Sequence, residues 1–180
     1  MTITEQQLEL LKQYKDKSYI NSLLAEQSYD YYNFVKNIIN IPLILCNTIM
    51  VIINSIITNQ DLLKILNIIL NSSTGLIISM ISNFKVYEKI QQYHQIQIKF
   101  NKLNHQIDSK MNNDKDNITS EYITGIIDDY DQILESIEYA FPIKIKSKIK
   151  HQYEGKLTLP SSLAIDIVGI CENNKCCVKV

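Results

Sequence analysis

Few residues in this chain are spaced for chemistry on a small molecule. His94 and His105 stand eleven residues apart, three turns of a helix, and so share a face. No Asp, Glu or Cys lies at metal-ligand spacing between them, so they read as packing or interfacial residues and no metal is expected. Cys171, Cys176 and Cys177 sit near the carboxy terminus without a paired C-x-x-C. In a cytoplasmic setting they stay reduced, and Cys176-Cys177 could accept S-acyl or prenyl groups beside a membrane; the plainer reading is an incidental tail. Neither G-x-G-x-x-G nor G-x-x-x-x-G-K-[ST] occurs, so nucleotide binding lacks its backbone cradle, and no cofactor and no enzymatic activity are expected. What does repeat is amides. Asn33, Asn40, Asn47 and Asn54 recur every seven residues, one stripe of a helix, widened by Thr48 and Ser55. Further on, Ser72, Gly75, Ser79 and Ser82 follow a 3,4,3 spacing that lets helix backbones approach closely, with Asn67, Asn71 and Thr74 as a second polar face beside it. Such residues either hydrogen-bond helices together or line a wet path between them.

The elements that must carry these residues are two uncharged runs. The chain has 180 residues and a formal charge of −1, with 18 basic residues, all Lys, against 19 acidic ones, and no Trp. Its mean hydropathy of −0.07 is that of an ordinary soluble protein. The average hides Asn37 to Gln60 and Ile65 to Phe84, neither of which holds a charge. About 20 helical residues cross a hydrocarbon core of about 30 Å, so each run is long enough to span a bilayer. Pro42 near the start of the first falls where a missing N–H costs least, and the short connection around Thr58 to Lys64 makes the two an antiparallel hairpin. Some 36 charge-rich residues precede the first run, with no small-residue cleavage site, so a signal peptide is not expected. Without Arg there is no guanidinium fork, and the charge balance is not basic, which argues against nucleic acid as a partner.

Orientation follows from the flanks. Tyr29, Tyr31, Tyr32 and Phe34 precede the first run, and Phe84, Tyr87 and Tyr93 surround the end of the second, whereas the connection has no aromatic residue. Lys36, Lys85 and Lys89 lie on that same side against a lone Lys64, which places both termini in the cytoplasm. The alternative is a soluble all-α bundle whose two most buried helices are apolar all round. The many Asn residues weigh toward it, since an unpaired amide is costly in hydrocarbon.

Outside the runs the pattern is helical. Thr4 with Gln7 makes a capping box for a helix through Leu8, Leu11 and Tyr14, with a second helix from about Ser22. Val86, Ile90, Tyr93, Phe100, Ile107 and Met111 keep one register on a long helix leaving the membrane, interrupted by Gln97 and Asn104, and residues 112 to 117 form a loop. Thr119 can cap a helix bearing Ile123, Ile127, Tyr130, Leu134, Ile137 and Phe141, which Pro142 ends or kinks. Ile143 to Lys150 alternates as a strand would but lacks a partner strand; as a helix it aligns Ile145, Ile149 and Tyr153. Its four Lys would favour an anionic leaflet if they lay near one, or else form a solvated face. Gly155 and Pro160 mark an extended segment.

The order of these elements resembles the SLATT two-transmembrane effector domains. The resemblance rests on Ser28 and Tyr31, on Ile41-Pro42 opening the first span, on Asn71, Thr74 and Gly75 in the second, and on Phe84, Glu88, His94, Phe100 and Ile107 along the exit helix. Residues 130 to 135, Phe141-Pro142-Ile143 and Leu157 to Pro160 resemble the ending of the version carried by large DNA viruses of eukaryotes. It implies one domain over about residues 5 to 165, and a viral, stand-alone relative of bacterial pore-forming effectors that are tied to nucleotide-sensing partners. The Arg and Trp often found in the amino-terminal helix of that family are absent. The expectation is an all-α fold: cytoplasmic helices over 1–36, a transmembrane hairpin over 37–84, cytoplasmic helices over 85–165 and a short Cys-containing tail over 166–180. Membrane lipids and further copies of the chain are its expected partners, in a host-cell or virion membrane, with the cytoplasmic helices as a docking surface for another protein. Asn40, Asn47, Asn54, Asn67 and Asn71 form the pore-lining or interhelix stripe, and Ser72, Gly75, Ser79 and Ser82 the packing seam. The other expectation, from a different class, is a non-conducting scaffold anchor.

Overall fold

The computed structural model describes residues 5–56, 60–113 and 118–163, and what it describes is all-helical. Thr4, residues 114–117 of the expected loop, part of the connection before Lys64, and the tail with Cys171, Cys176 and Cys177 lie outside the described residues. Five helices follow in order: α1 (Glu5–Ile56), α2 (Gln60–Asn83), α3 (Val86–Asn113), α4 (Ser120–Glu135) and α5 (Ile143–Tyr153), then a 3₁₀ turn at Ser161–Leu163.

The first correction concerns α1, a single helix of 52 residues, about 78 Å long at 1.5 Å per residue. No new helix starts at Ser22, because residues 15–25 hold neither Pro nor Gly and the chain has no reason to break there. Pro42 is likewise not at a helix start. It lies inside α1, where its ring nitrogen leaves the Ile38 carbonyl without its usual amide donor.

The amino-terminal half of α1 buries Leu11, Ser18, Asn21, Ala25 and Ser28 along one face, with Ile20 and Leu24 beside them. Small residues at 18, 21, 25 and 28 let α3 come close, and α3 supplies the bulk from Tyr93, Ile96, Phe100, Leu103 and Ile107. The expected row on α3 is therefore buried at Val86, Tyr93, Phe100 and Ile107, and Ile96 and Leu103 widen it into a stripe. Asn21, fully buried, donates from Nδ2 to the Tyr130 hydroxyl at 3.0 Å and accepts from the Ser162 hydroxyl at 2.5 Å, which ties α1 to α4 and to the 3₁₀ turn. Burial pushes the Tyr130 phenol up to about 12, so it stays neutral. At the distal end Lys15 pairs with Asp108 at 2.5 Å, and Asp16 accepts from the Thr158 amide at 3.2 Å.

Helix α4 starts as expected, with the Thr119 hydroxyl accepting from the Tyr122 amide at 3.2 Å. It stops at Glu135, six residues before Phe141, which is a second correction. The Ser136 hydroxyl folds back onto the Ile133 carbonyl at 2.7 Å, and the Ile137 amide bonds Leu134 in a tight last turn. Phe141 is then buried from the connection, and Pro142 precedes α5. Ile143–Tyr153 is helix, not strand: Ile145 and Ile149 are buried, and Tyr153 packs edge-on to Tyr19 at 6.2 Å. Gly155, at φ +76, turns the chain back in a conformation that side chains rarely adopt.

Two neighbours on α1 should respond in opposite directions. The Ser18 hydroxyl is buried without a hydrogen-bond partner, so Ser18→Ala is expected to leave stability unchanged or raise it by about 0.5–1 kcal/mol. Asn21→Ala strands the hydroxyls of Tyr130 and Ser162 and is expected to cost about 2–3 kcal/mol. Denaturant unfolding of the detergent-solubilised chain, followed by circular dichroism, separates the two.

Candidate functional site

Beyond Tyr32 the rest of α1 lies antiparallel to α2. Asn40 Nδ2 donates to the Tyr87 hydroxyl at 2.9 Å, and Asn54 and Asn67 exchange side-chain amide bonds at 3.4 and 3.2 Å. On α2 the face turned to α1 holds Leu63, Leu66, Asn67, Leu70, Thr74, Ile77 and Ile81, which are half-buried or buried at helical spacing. Ile39, Leu43, Met50 and Ile53 answer from α1. Of the five expected asparagines, Asn54 and Asn67 are thus tied to each other across the pair and Asn40 is tied to Tyr87 at the start of α3, while Asn47 and Asn71 are exposed. The hydroxyls of Thr48 and Ser55 bond back to the carbonyls of Ile44 and Val51 at 2.9 Å, so the helix satisfies them itself.

The seam of Ser72, Gly75, Ser79 and Ser82 points away from α1. All four are exposed, Ser82 at the edge of a cavity it shares with Asn40, and a Cβ added at Gly75 would meet nothing within 4 Å, so within one chain the seam holds no other helix at Gly75. The outer surface of the two helices is apolar, with Ile44 and Val51 on α1 and Ile68 and Leu76 on α2 each more than half exposed.

The junction between α2 and α3 is two residues, Phe84 and Lys85. Lys85 sits at φ +50, the left-handed region, with its amide bonded to Ser82 at 3.0 Å and its carbonyl receiving the Lys89 amide at 3.0 Å. Its ammonium stands 3.5 Å from Glu88, and the Tyr139 hydroxyl donates to Glu88 at 2.6 Å. That hydrogen bond, with the Lys85 charge behind it, holds the Glu88 carboxyl below the usual range; the Glu88 charge in turn raises Lys85. Lys89 lies over the rings of Tyr32 and Tyr139, at 5.3 and 5.7 Å. Tyr32, Tyr93 and Phe141 form a continuous stack at 5.7 and 5.6 Å, and the Tyr93 hydroxyl donates to the Ala140 carbonyl at 2.8 Å. The aromatic flanks therefore divide. Tyr32 and Tyr93 join α1 to α3 inside the fold, whereas Tyr31, Phe34, Phe84 and Tyr87 are exposed.

The two histidines stand apart from this junction. His94 packs on Tyr29 at 5.3 Å, His105 is exposed, and among the described residues no group of three His, Cys, Asp or Glu could hold a metal. Helix α5 starts beside Tyr93, through Phe141, and ends beside Tyr19, so it runs away from the junction and takes most of its lysines with it. Sequence reading did not find the contact of Lys85 and Glu88 with Tyr139: the partners are 51 positions apart, and nothing in the local pattern marks Tyr139.

Asn54→Leu or Asn67→Leu alone leaves the other amide unpaired among apolar side chains. The double substitution is expected to cost less than the sum of the singles, with a coupling of about 0.6–1.7 kcal/mol in a thermal-unfolding cycle in detergent. Comparison with known proteins returns no match: no family model, no curated protein and no solved structure is similar to the chain.

Proposed function

We propose that the chain is an integral membrane protein in which residues 37–84 cross the bilayer as a hairpin and copies associate to open a conducting path. The observation that carries the reading is burial. Both candidate spans pass the length and composition test, yet only 6% of each apolar window is buried. The core helices of a soluble bundle would be mostly buried, and an exposed apolar surface of this extent calls for lipid to cover it. Tyr32 on α1 stacked against Tyr93 on α3 supports emergence of both strands of the hairpin at one level, and Lys85 and Lys89 beside them favour the cytoplasmic side. The outward seam at Ser72, Gly75, Ser79 and Ser82 suits close packing between hairpins, and the exposed Asn47 and Asn71 are the amides left to face a wet path. The resemblance to SLATT-type domains in their large-virus version supports the membrane hairpin, and only the bacterial members of that family add pore formation.

A second reading is favoured by the bonds from Asn40 to Tyr87 and between Asn54 and Asn67. These spend amides on holding one hairpin together, as a non-conducting scaffold anchor would, with α3 to α5 as a docking surface for a cytoplasmic protein. Release of an encapsulated dye from liposomes containing the purified full-length chain separates the two. The pore reading expects release that falls to near background when Asn47 and Asn71 are both changed to Leu, with the chain still in the membrane pellet after alkaline carbonate extraction. A pelleted chain that releases no dye establishes the anchor instead.

A further inference from the structure

A cavity of about 260 Å³ opens where α2 gives way to α3, and its walls differ from bottom to top. Ile78 and Ile81 from the end of α2 line one part, and Asn40, Lys85, Tyr87 and Glu88 line the other. Phe84 ends the uncharged run, so Lys85 and Glu88 stand one and four residues beyond it. Resting on the membrane reading above, we infer that this cavity binds one phospholipid with a zwitterionic ethanolamine head: its phosphate on Lys85, its ammonium on Glu88, and the start of an acyl chain against Ile78 and Ile81.

Charge decides the head. The cavity wall carries one cation and one anion 3.5 Å apart, so its net charge is zero, and an anionic lipid drawn to Lys85 would meet the Glu88 carboxylate. A head that carries both charges satisfies both walls. Tyr139 and Lys85 both engage Oε2 of Glu88, which leaves Oε1 to accept from an ammonium, and an ethanolamine donates N–H bonds that a quaternary choline cannot. Lys85 is also placed in the left-handed backbone region, an arrangement that costs energy at a non-glycine residue and sets its ammonium at the cavity rim.

Native mass spectrometry of the full-length chain in detergent, titrated separately with phosphatidylethanolamine, phosphatidylglycerol and phosphatidylcholine, tests this. The expected result is one retained phosphatidylethanolamine, bound about tenfold tighter than either other lipid, as one charge-assisted contact gives. Glu88→Gln should erase the preference over phosphatidylglycerol, Lys85→Gln should weaken all three lipids, and Tyr139→Phe, which leaves the Glu88 charge in place, should keep the preference. Equal binding of phosphatidylglycerol by the unaltered chain, a preference unmoved by Glu88→Gln, or equal binding of soluble glycerophosphoethanolamine would overturn the site. Carbonate extraction separates the two levels of the claim. A pelleted chain that retains no ethanolamine lipid contradicts the site alone, and a chain released to the supernatant contradicts the membrane reading with it.

Discussion

Everything in this molecule hangs on the close packing of the first half of α1 against α3. Ser18, Asn21, Ala25 and Ser28 present little bulk, so the backbone of α3 can approach and fill the space with Tyr93, Ile96, Phe100, Leu103 and Ile107. Helix α1 continues from that interface to Ile56 as one element, with Pro42 inside it, so the same helix serves both the body and the apolar half. Helix α3 joins α2 through Phe84 and the left-handed Lys85, where one helix ends and the next begins. The apolar pair packs through its own half-buried faces, with the Asn54–Asn67 exchange joining α1 to α2 and the Asn40–Tyr87 bond joining α1 to the start of α3.

The body closes around that interface with buried polar bonds as well as apolar ones. Asn21 reaches both Tyr130 and Ser162, and Tyr93 reaches the carbonyl of Ala140, so α4 and the final turn are fastened at defined points along α1 and α3. The stack of Tyr32, Tyr93 and Phe141 sits where α1 and α3 leave the body, and beside it Lys85, Lys89, Glu88 and Tyr139 form a polar collar. The collar of charges and aromatic rings thus stands at one end of the two charge-free runs.

The helices were legible in the sequence wherever the pattern was local. Charge-free runs gave α2 and the second half of α1, Thr119 marked the start of α4, and the spacing of Ile145, Ile149 and Tyr153 outlined α5. Three things escaped. The continuity of α1 past Ser22 escaped because small polar residues look like a break in a pattern of hydrophobes, when here they are the close-packing face itself. The end of α4 escaped because Ile137 and Phe141 keep the helical spacing after the helix has stopped; the Ser136 back-bond ends it. Which asparagines pair also escaped, since Asn40, Asn47 and Asn54 share one stripe, and only the placement of Asn67 on α2 and Tyr87 on α3 separates the two that bond across helices from the one that does not.

The central claim is that the exposed apolar surface of residues 37–84 faces lipid. Spin labels placed one at a time at Ile44, Val51, Ile68 and Leu76 in liposome-reconstituted protein, read by power saturation with oxygen and with a water-soluble nickel chelate, test it most directly. The structure predicts high oxygen and low nickel access at all four positions, against high nickel access at the exposed Ile98 of the body. Nickel access at the four positions equal to that at Ile98 would contradict it.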